Sequence, residues 1–342
     1  KQIRSLAKTL ELLLSGTGLA YHVKSNTIIV SAAPKEAQFG NGFEETDETD
    51  QNLRVSVSGV VTDQNSAAIA NVSIVEKSTN NGTVTKFDAV LIGIHGTPGE
   101  DGKLQGYFDL LNLPYTSCDA ATSALTFNKR YTVAVAAFAG IKVAPSVHLF
   151  KSSSLSPDVI LKQLTLPVFV KPNNGGSSIG MSKVNVPEEL PAALQKAFNE
   201  DDQVLVEEFI KGREFTIGVF KTGREIITLP ITEVTTKKEF FDFEAKYTAG
   251  MSTEVTPAEV SEIVAEKVRQ NARKVYELFN CRGIVRMDFI YNEAEDAPYL
   301  LEINTVPGQS EASIVPQQVR ACNWTLKAFY SALIDEALLH RK

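Results

Sequence analysis

Few cysteines, no excess of basic residues and no long apolar run mark this sequence first by what it is missing. Cys118, Cys281 and Cys322 are odd in number, far apart and without a CxxC pair. That pattern fits free thiols in a reducing compartment better than a disulfide framework or a zinc site. A net charge of −7 argues against holding nucleic acid through a diffuse basic field, although a local cationic pocket stays compatible with it. No apolar stretch approaches the ~18–20 residues needed to span a bilayer, so no membrane span is expected. The chain starts at Lys1 without methionine or a signal-type apolar region, and the expectation is an N-terminus that is missing or processed. What remains is a globular composition: 342 residues, 43% hydrophobic and 22% charged, enough for a sizeable core in two or three domains.

The first 85 residues read as small modules. Leu6, Leu10, Leu13 and Leu14 recur at helical spacing before the stop signals Gly16 and Gly18. "LAYHV" and "TIIVS", parted by the polar "KSN", predict a hairpin. Glu44, Glu45, Asp47, Glu48 and Asp50 then crowd a stretch poor in apolar residues, the mark of a linker. "VSVSGVVTDQNSAAIANVSIVEKSTNNGTVT" alternates small and β-branched residues between turn signals, as antiparallel sandwich strands do.

From Lys86 the text changes. "FDAVLIGI" is a continuous apolar run that predicts a buried parallel strand, delivering the Gly-rich "HGTPGEDG" at its carboxyl end, where ligands bind. "LQGYFDLLNLPYTSC" predicts a helix closed before Pro114, and "ATSALTFNKRYTVAVAAFAGI" one further helix carrying Lys129. In "LPVFVKPNNGGSSIGMSKV" an apolar strand delivers Lys171 to a loop of Gly175, Gly176, Ser177, Ser178 and Gly180. Such a loop can close its N–H groups over phosphate oxygens, or serve as a tight hairpin; it is neither a Walker A nor a dinucleotide fingerprint.

Three later segments bear on that choice. "QVLVEEFIKGREFTIGVF" gives a strand ending in Glu207 and Glu208, a turn at Gly212 and a strand with Glu214. These carboxylates can accept from adenine or ribose donors, or edge a solvated hairpin. "RGIVRMDFIYNEAEDAPYLLEINTVPG" places Arg286 and Asp288 on one strand and Glu302 and Asn304 on its partner, with "NEAEDAP" as the turn. Side chains two apart share a face, so Asp288, Glu302 and Asn304 can converge three hard oxygen donors suited to magnesium, with Arg286 beside them. The alternative is a cross-strand ion-pair cluster, costly to bury without a ligand.

The span from Lys86 to the end resembles the D-alanine–D-alanine ligases of the ATP-grasp superfamily, through "HGTPGEDG", "KPNNGGSSIGMSKV", "EEFIKGREFT", "EFFDFEAKYTAG", "RGIVRMDFI" and "LLEINTVPGQSEASIVPQQ" in that order. The resemblance implies an α/β (α+β) ATP-grasp fold and ATP-driven joining of two D-alanines through an acyl phosphate, for peptidoglycan precursors. It implies that Lys129 and Lys171 contact ATP phosphates, that Glu207, with Glu208, lies by the adenine and Glu214 by the ribose, and that Lys246 approaches the γ-phosphate. Asp288, Glu302 and Asn304 would hold magnesium (or manganese). Arg286 and the Gly308 backbone would stabilise oxyanion charge. Ser177, Tyr247, Ser313 and Ile314 would line the dipeptide site, and His95 would sit near the first substrate. Tyr247 after Lys246 resembles the dipeptide-forming type, and a loop around residues 235–255 would exclude water. The expected setting is cytoplasmic and the expected oligomer a homodimer.

Residues 1–85 resemble the start of TonB-dependent outer-membrane receptors: a short signalling (STN-like) module at "SGTGLAYHVKSNTIIV" and a carboxypeptidase-regulatory-like sandwich at "VSGVVTD" and "NVSIVEKSTNNGTVT". Taken alone they would imply a periplasmic setting and a TonB-system partner. The expected divisions are therefore 1–33 (helix and hairpin), 34–52 (acidic linker), 53–85 (partial sandwich), 86–117 (truncated ligase N-terminal domain, its parallel sheet incomplete), 118–206 (central domain) and 207–342 (C-terminal domain). The ligase family's first strand, glycine turn and ammonium-anchoring glutamate have no counterpart expected before Lys86. A recombined or misassembled gene with impaired turnover but retained ATP affinity is the corresponding expectation. A periplasmic adaptor, or an ATP-grasp ligase for another acid and amine, are the alternatives.

Overall fold

The computed structural model describes residues 19–24, 27–32, 75–76, 88–152, 156–176, 178–236 and 252–340. The chain divides into two compact units, Lys1–Lys86 and Phe87–Lys342. In the first, β1 (Leu19–Lys24) and β2 (Thr27–Ala32) form the expected antiparallel hairpin, Lys24 facing Thr27 at its closed end. β3 (Val75–Glu76) pairs parallel with β2, Ile29 opposite Val75. This corrects the expectation of antiparallel pairing for that piece of the sandwich. The leucine-spaced helix, the acidic linker and the rest of 53–85 lie outside the described residues.

The second unit opens with a difference. Residues 88–95 make no strand: Val90 forms a single parallel bridge with Tyr115, and Leu91 is 49% exposed. Only Ile92 is buried, against Tyr115 and Val306. An apolar run becomes a buried parallel strand only where neighbours pair with it along its length, and one bridge does not do this. Helix α1 (Lys103–Leu110) ends before Pro114 as expected. The single helix expected next is two, α2 (Ala120–Phe127) and α3 (Lys129–Phe138). The chain is extended at Asn128, whose side chain accepts from the Tyr131 N–H at 3.1 Å and starts a new helix.

A four-stranded antiparallel sheet follows, in the order β4 (Ser146–Phe150), β7 (Gln203–Glu208), β5 (Val168–Pro172), β6 (Ser182–Val184). Alternate residues of β5 are buried, and Val168 and Val170 meet Leu190, Ala193 and Ala197 of helix α5 (Leu190–Phe198) together with Ile160 of the short helix α4 (Pro157–Leu161). Glu207, at the expected division between central and C-terminal domains, lies inside β7.

A second antiparallel sheet has the order β11 (Ser252–Val255), β10 (Thr232–Thr236), β8 (Arg213–Thr222), β12 (Val285–Asn292), β13 (Ala297–Asn304), with β9 (Glu225–Thr228) also on β8. Helix α6 (Glu262–Leu278) presents Ala265, Val268, Ala272, Val275 and Tyr276 at three- and four-residue spacing to a core with Phe215, Ile217, Met287 and Phe289. A separate core joins Phe220, Leu229 and Ile284 to Val315 and Val319 of α7 (Ile314–Ala321) and to Phe329 and Leu333 of α8 (Leu326–Leu338). Phe220 meets Phe329 edge-on, ring centres 5.2 Å apart. All three cysteines are unpaired, and among the described residues no helix is long and apolar enough to cross a membrane.

Candidate active site

The polar residues gather in two clusters within the second unit. The first forms where β12 meets β13. Their register sets Arg286 opposite Asn304 and Asp288 opposite Glu302, so two successive same-face pairs carry four polar groups. The ladder shifts register directly afterwards, between Asp288 and Phe289. Asp288 is 8% exposed and is fully engaged. Arg286 donates to both of its oxygens, Nε to Oδ1 at 3.0 Å and a guanidinium nitrogen to Oδ2 at 2.9 Å. The Asn304 amide donates to Oδ2 at 3.2 Å, and the Thr216 hydroxyl, from the facing position on β8, donates to Oδ1. Glu302 stands 3.9 Å from Arg286. Burial alone would depress the Arg286 pKa. The charges of Asp288, Glu302 and Glu100 and the bonds to Asp288 outweigh it, so the net shift is upward and the cation is kept.

Beside this cluster, three residues from separate segments meet. A Cβ placed on Gly308 would fall 2.6 Å from the Ser313 hydroxyl and 3.5 Å from His95 Nε2. Glycine at 308 is what lets the 305–309 segment approach Ser313 at the N-terminus of α7 this closely, with His95 of the "HGTPGEDG" loop at contact distance. Ser313 exchanges a 2.7 Å hydroxyl bond with Ser310, and Ile314 is the first residue of α7. Glu100, a residue of that loop, reaches from it to the Val306 N–H of the segment. Burial raises its pKa, and the Gly96 N–H, His95, the Val306 N–H and Arg286 only partly offset that.

The second cluster lies on the four-stranded sheet. Lys171 of β5 donates to Glu207 of β7, both little exposed at 16% and 9%. Lys129, at the start of α3, donates to the Gly175 carbonyl at 2.8 Å, tying that helix to the Gly/Ser loop. Gly175 has φ +118°, a conformation open to glycine and strained for other residues. Glu208 is not brought to this cluster. As the next residue on the strand it faces the opposite way, and its carboxylate accepts from the Thr165 N–H at 2.6 Å. Glu214 lies on β8, in register with Ile290 of β12. Ser177, Lys246 and Tyr247 lie outside the described residues.

Sequence reasoning missed Thr216 and Glu100. Thr216 follows Glu214 by two on the same strand, so period-two alternation contained the signal; Glu100 sits inside the quoted "HGTPGEDG". As a test of metal fit, Asp288, Glu302 and Asn304 bring two carboxylates and a carboxamide to one face, residue types of the kind magnesium takes, with the Asp288 oxygens here engaged by Arg286, Thr216 and the Asn304 NH2. Among the described residues no group of three or more His, Cys, Asp or Glu is placed to hold a metal, and the amide of Asn304 is the donor that such a set would add.

Comparison with known proteins gives the family. A family model described as "D-ala D-ala ligase C-terminus" matches residues 129–335, and one described as "D-ala D-ala ligase N-terminus" matches residues 13–118. The second match carries the likeness upstream of Lys86, where receptor-like modules are expected. A D-alanine–D-alanine ligase of Parabacteroides distasonis is 44% identical over 262 residues, 77% of this chain and 79% of that protein. One from Phocaeicola vulgatus is 46% identical over 255 residues, 75% and 78% of the two chains. The solved structure of the VanG D-Ala:D-Ser ligase from Enterococcus faecalis superimposes with a TM-score of 0.66 at 32% identity, over 76% of this chain and 74% of that one. With its mixed α/β architecture and antiparallel sheets matching those of ATP-grasp structures, the chain belongs to the D-alanine–D-alanine ligase family, a family of ATP-dependent carboxylate–amine ligases.

Proposed function

We propose that this chain joins two D-alanine molecules, using ATP, to make a dipeptide for peptidoglycan precursors. The observation that carries the reading is the cross-strand pairing of Arg286 with Asn304 and Asp288 with Glu302, beside the meeting of His95, Gly308 and Ser313. A carboxylate oxygen of the first D-alanine attacks the γ-phosphorus of ATP; ADP leaves and an acyl phosphate forms. The amine of the second D-alanine attacks its carbonyl carbon, loses a proton, and phosphate departs as the amide forms. Lys129 and Lys171 hold phosphate oxygens, Glu207 and Glu214 take adenine and ribose donors, and Lys246 approaches the γ-phosphate. Arg286 and the Gly308 N–H stabilise the oxyanion. His95 lies by the first substrate, and Ser177, Tyr247, Ser313 and Ile314 line the dipeptide site. Asp288, Glu302 and Asn304 would hold magnesium or manganese, which when bound would offset the phosphate charge.

The test is dipeptide and ADP formation from D-alanine and ATP, with hydroxylamine added to trap the acyl phosphate. ADP release with no D-alanine dependence would sink the reading. D-serine is the second amine to try, because the Enterococcus faecalis structure similar to this chain is of a D-Ala:D-Ser ligase. We assign the enzyme to the cytoplasm as a homodimer, to be checked by fractionation and light scattering.

For residues 1–85 we propose the receptor-type modules, with the Leu19–Ala32 hairpin in support and a TonB-system component as the partner to seek by pull-down. On that reading the ammonium anchor is absent, turnover is weak and ATP still stabilises the protein. The match of the ligase N-terminus model to 13–118 favours the other reading, and turnover at the rate of a full ligase would decide for it.

A further inference from the structure

One half-buried carboxylate, that of Glu100, has no part in the reaction as set out above. Glu100 points its two oxygens at two different segments: Oε2 accepts from the Gly96 N–H at 2.7 Å, and Oε1 accepts from the Val306 N–H at 3.3 Å. Its own N–H returns to the Gly96 carbonyl at 2.8 Å, so the turn from Gly96 to Glu100 is closed by main chain and side chain together. The loop is stiff without Glu100. Gln105 donates to the Gly99 carbonyl at 2.6 Å and to Ser117 at 3.1 Å, and a Cβ on Gly99 would overlap the Ile94 carbonyl. Among the described residues, the Oε1 bond to Val306 is the hydrogen bond that ties this loop to the segment leading to Gly308. His95 is at one end of the tie and Gly308 just past the other, and a Cβ on Gly308 would lie in van der Waals contact with His95 Nε2, at 3.5 Å.

We propose that Glu100 is a positioning residue: its carboxylate fastens the His95–Gly102 loop to the Val306–Gly308 segment and so fixes His95 against the oxyanion-side backbone where the first substrate's carboxylate is to react. Ionised carboxylate suits this task because it offers two acceptor oxygens. A glutamine offers one, and its NH2 would confront an N–H donor; an aspartate is one methylene too short to span both partners. The link to the first substrate rests on the ligase reading, whereas the tie between the segments does not.

The experiment compares wild type, E100Q and E100D as full-length protein by NMR. Amide exchange is read at Gly96 and Val306, with Phe215 and Ile217 of β8 as internal references. D-alanine is titrated with ADP present, following the His95 ring signal. Loss of this part-buried acceptor should speed exchange at Val306 by about tenfold or more and weaken D-alanine binding about tenfold, with ADP affinity within about twofold. A merely structural role would speed exchange in β8 as well and weaken ADP and D-alanine alike, and that result overturns the proposal. So do unchanged exchange at Val306, or a His95 signal that ignores D-alanine in the wild type. Wild type that binds D-alanine at His95 yet makes no dipeptide would sink the ligase reading and leave the tie standing.

Discussion

Lys171 and Glu207 are diagonal neighbours on adjacent strands, with Lys171 in register with Leu205 and Glu207 with Phe169, and they are joined by a hydrogen bond between ammonium and carboxylate, each largely withdrawn from water. The lysine is expected to meet phosphate oxygens and the glutamate the adenine, so the pair holds two ligand-binding groups in place before any nucleotide arrives. Replacing one partner leaves the other charged and poorly solvated.

Lys171→Met should therefore lower the melting temperature of the ligand-free protein and also abolish the upward shift that ATP produces. Removing one partner of a largely buried pair costs on the order of 1–3 kcal/mol, discounted from the fully buried case because both groups keep some solvent contact. Differential scanning fluorimetry with and without ATP reads both effects. A variant that keeps the full ATP shift would remove Lys171 from the nucleotide site.

Arg286→Lys keeps the charge and loses the fork. Two guanidinium nitrogens bind the two oxygens of Asp288, and an ammonium cannot reproduce that planar pairing. If Arg286 also faces the developing oxyanion, kcat should fall by about 10²–10³, with the half-saturation for ATP changed by less than about threefold. Steady-state kinetics separates the two; equal losses in both would recast Arg286 as a prop for Asp288 alone.

Much of this cluster was legible because it is local. Alternation puts Arg286 with Asp288 and Glu302 with Asn304, and the "NEAEDAP" turn brings the strands face to face. Glu208 could have been separated from Glu207 by the same rule, since neighbours on a strand face opposite ways. The break at Asn128 was hidden by an apolar pattern that runs through it, although asparagine is a strong helix-capping residue. The 88–95 run could not be judged from its own composition, because a strand depends on what pairs beside it. Glu100 and Thr216 act on partners roughly 200 and 70 positions away, and no local pattern reports such a distance.

His148 gives a prediction in pH. Partial burial is the main cause that lowers its pKa below 6.5, and Arg130 adds to it against the opposing bond with Gln203. The unfolded chain then takes up the proton at higher pH than the folded one. Stability is complete above pH 6.5, falls as pH drops through that value, and stops falling once the folded-state histidine also protonates. His148→Gln should flatten this part of the stability profile. Urea unfolding at intervals from pH 7.5 to about 5 shows it; parallel profiles for variant and wild type would refute the assignment.

Gln318 is the strongest structural prediction. It is 0% exposed on α7 and fills a gap in the second sheet, where β8 changes neighbour: Thr216 pairs with Thr232 of β10, and Val219 with Thr228 of β9. Between them the Gln318 amide completes the ladder, accepting from the Gly218 N–H at 2.9 Å and donating to the Thr216 carbonyl at 3.0 Å and the Thr232 hydroxyl at 3.1 Å. Gln318→Met has nearly the same shape and none of these bonds, so it strands two buried main-chain groups and should cost about 2–4 kcal/mol. Urea unfolding measures this, and a midpoint unchanged from wild type would refute it. Gly218→Ala attacks the same contact from the other side, because its Cβ would lie 2.8 Å from Gln318 Oε1 and 2.7 Å from Leu229 Cδ1. Once Gln318 has been shortened to alanine, the clash with its amide is gone, so the double variant should lose less than the sum of the two single losses. Since Thr216 also donates to Asp288, the single Gln318→Met change should loosen that carboxylate; if Asp288 holds the metal as proposed, the magnesium concentration needed for half-maximal ATP-dependent stabilisation should rise by about three- to tenfold.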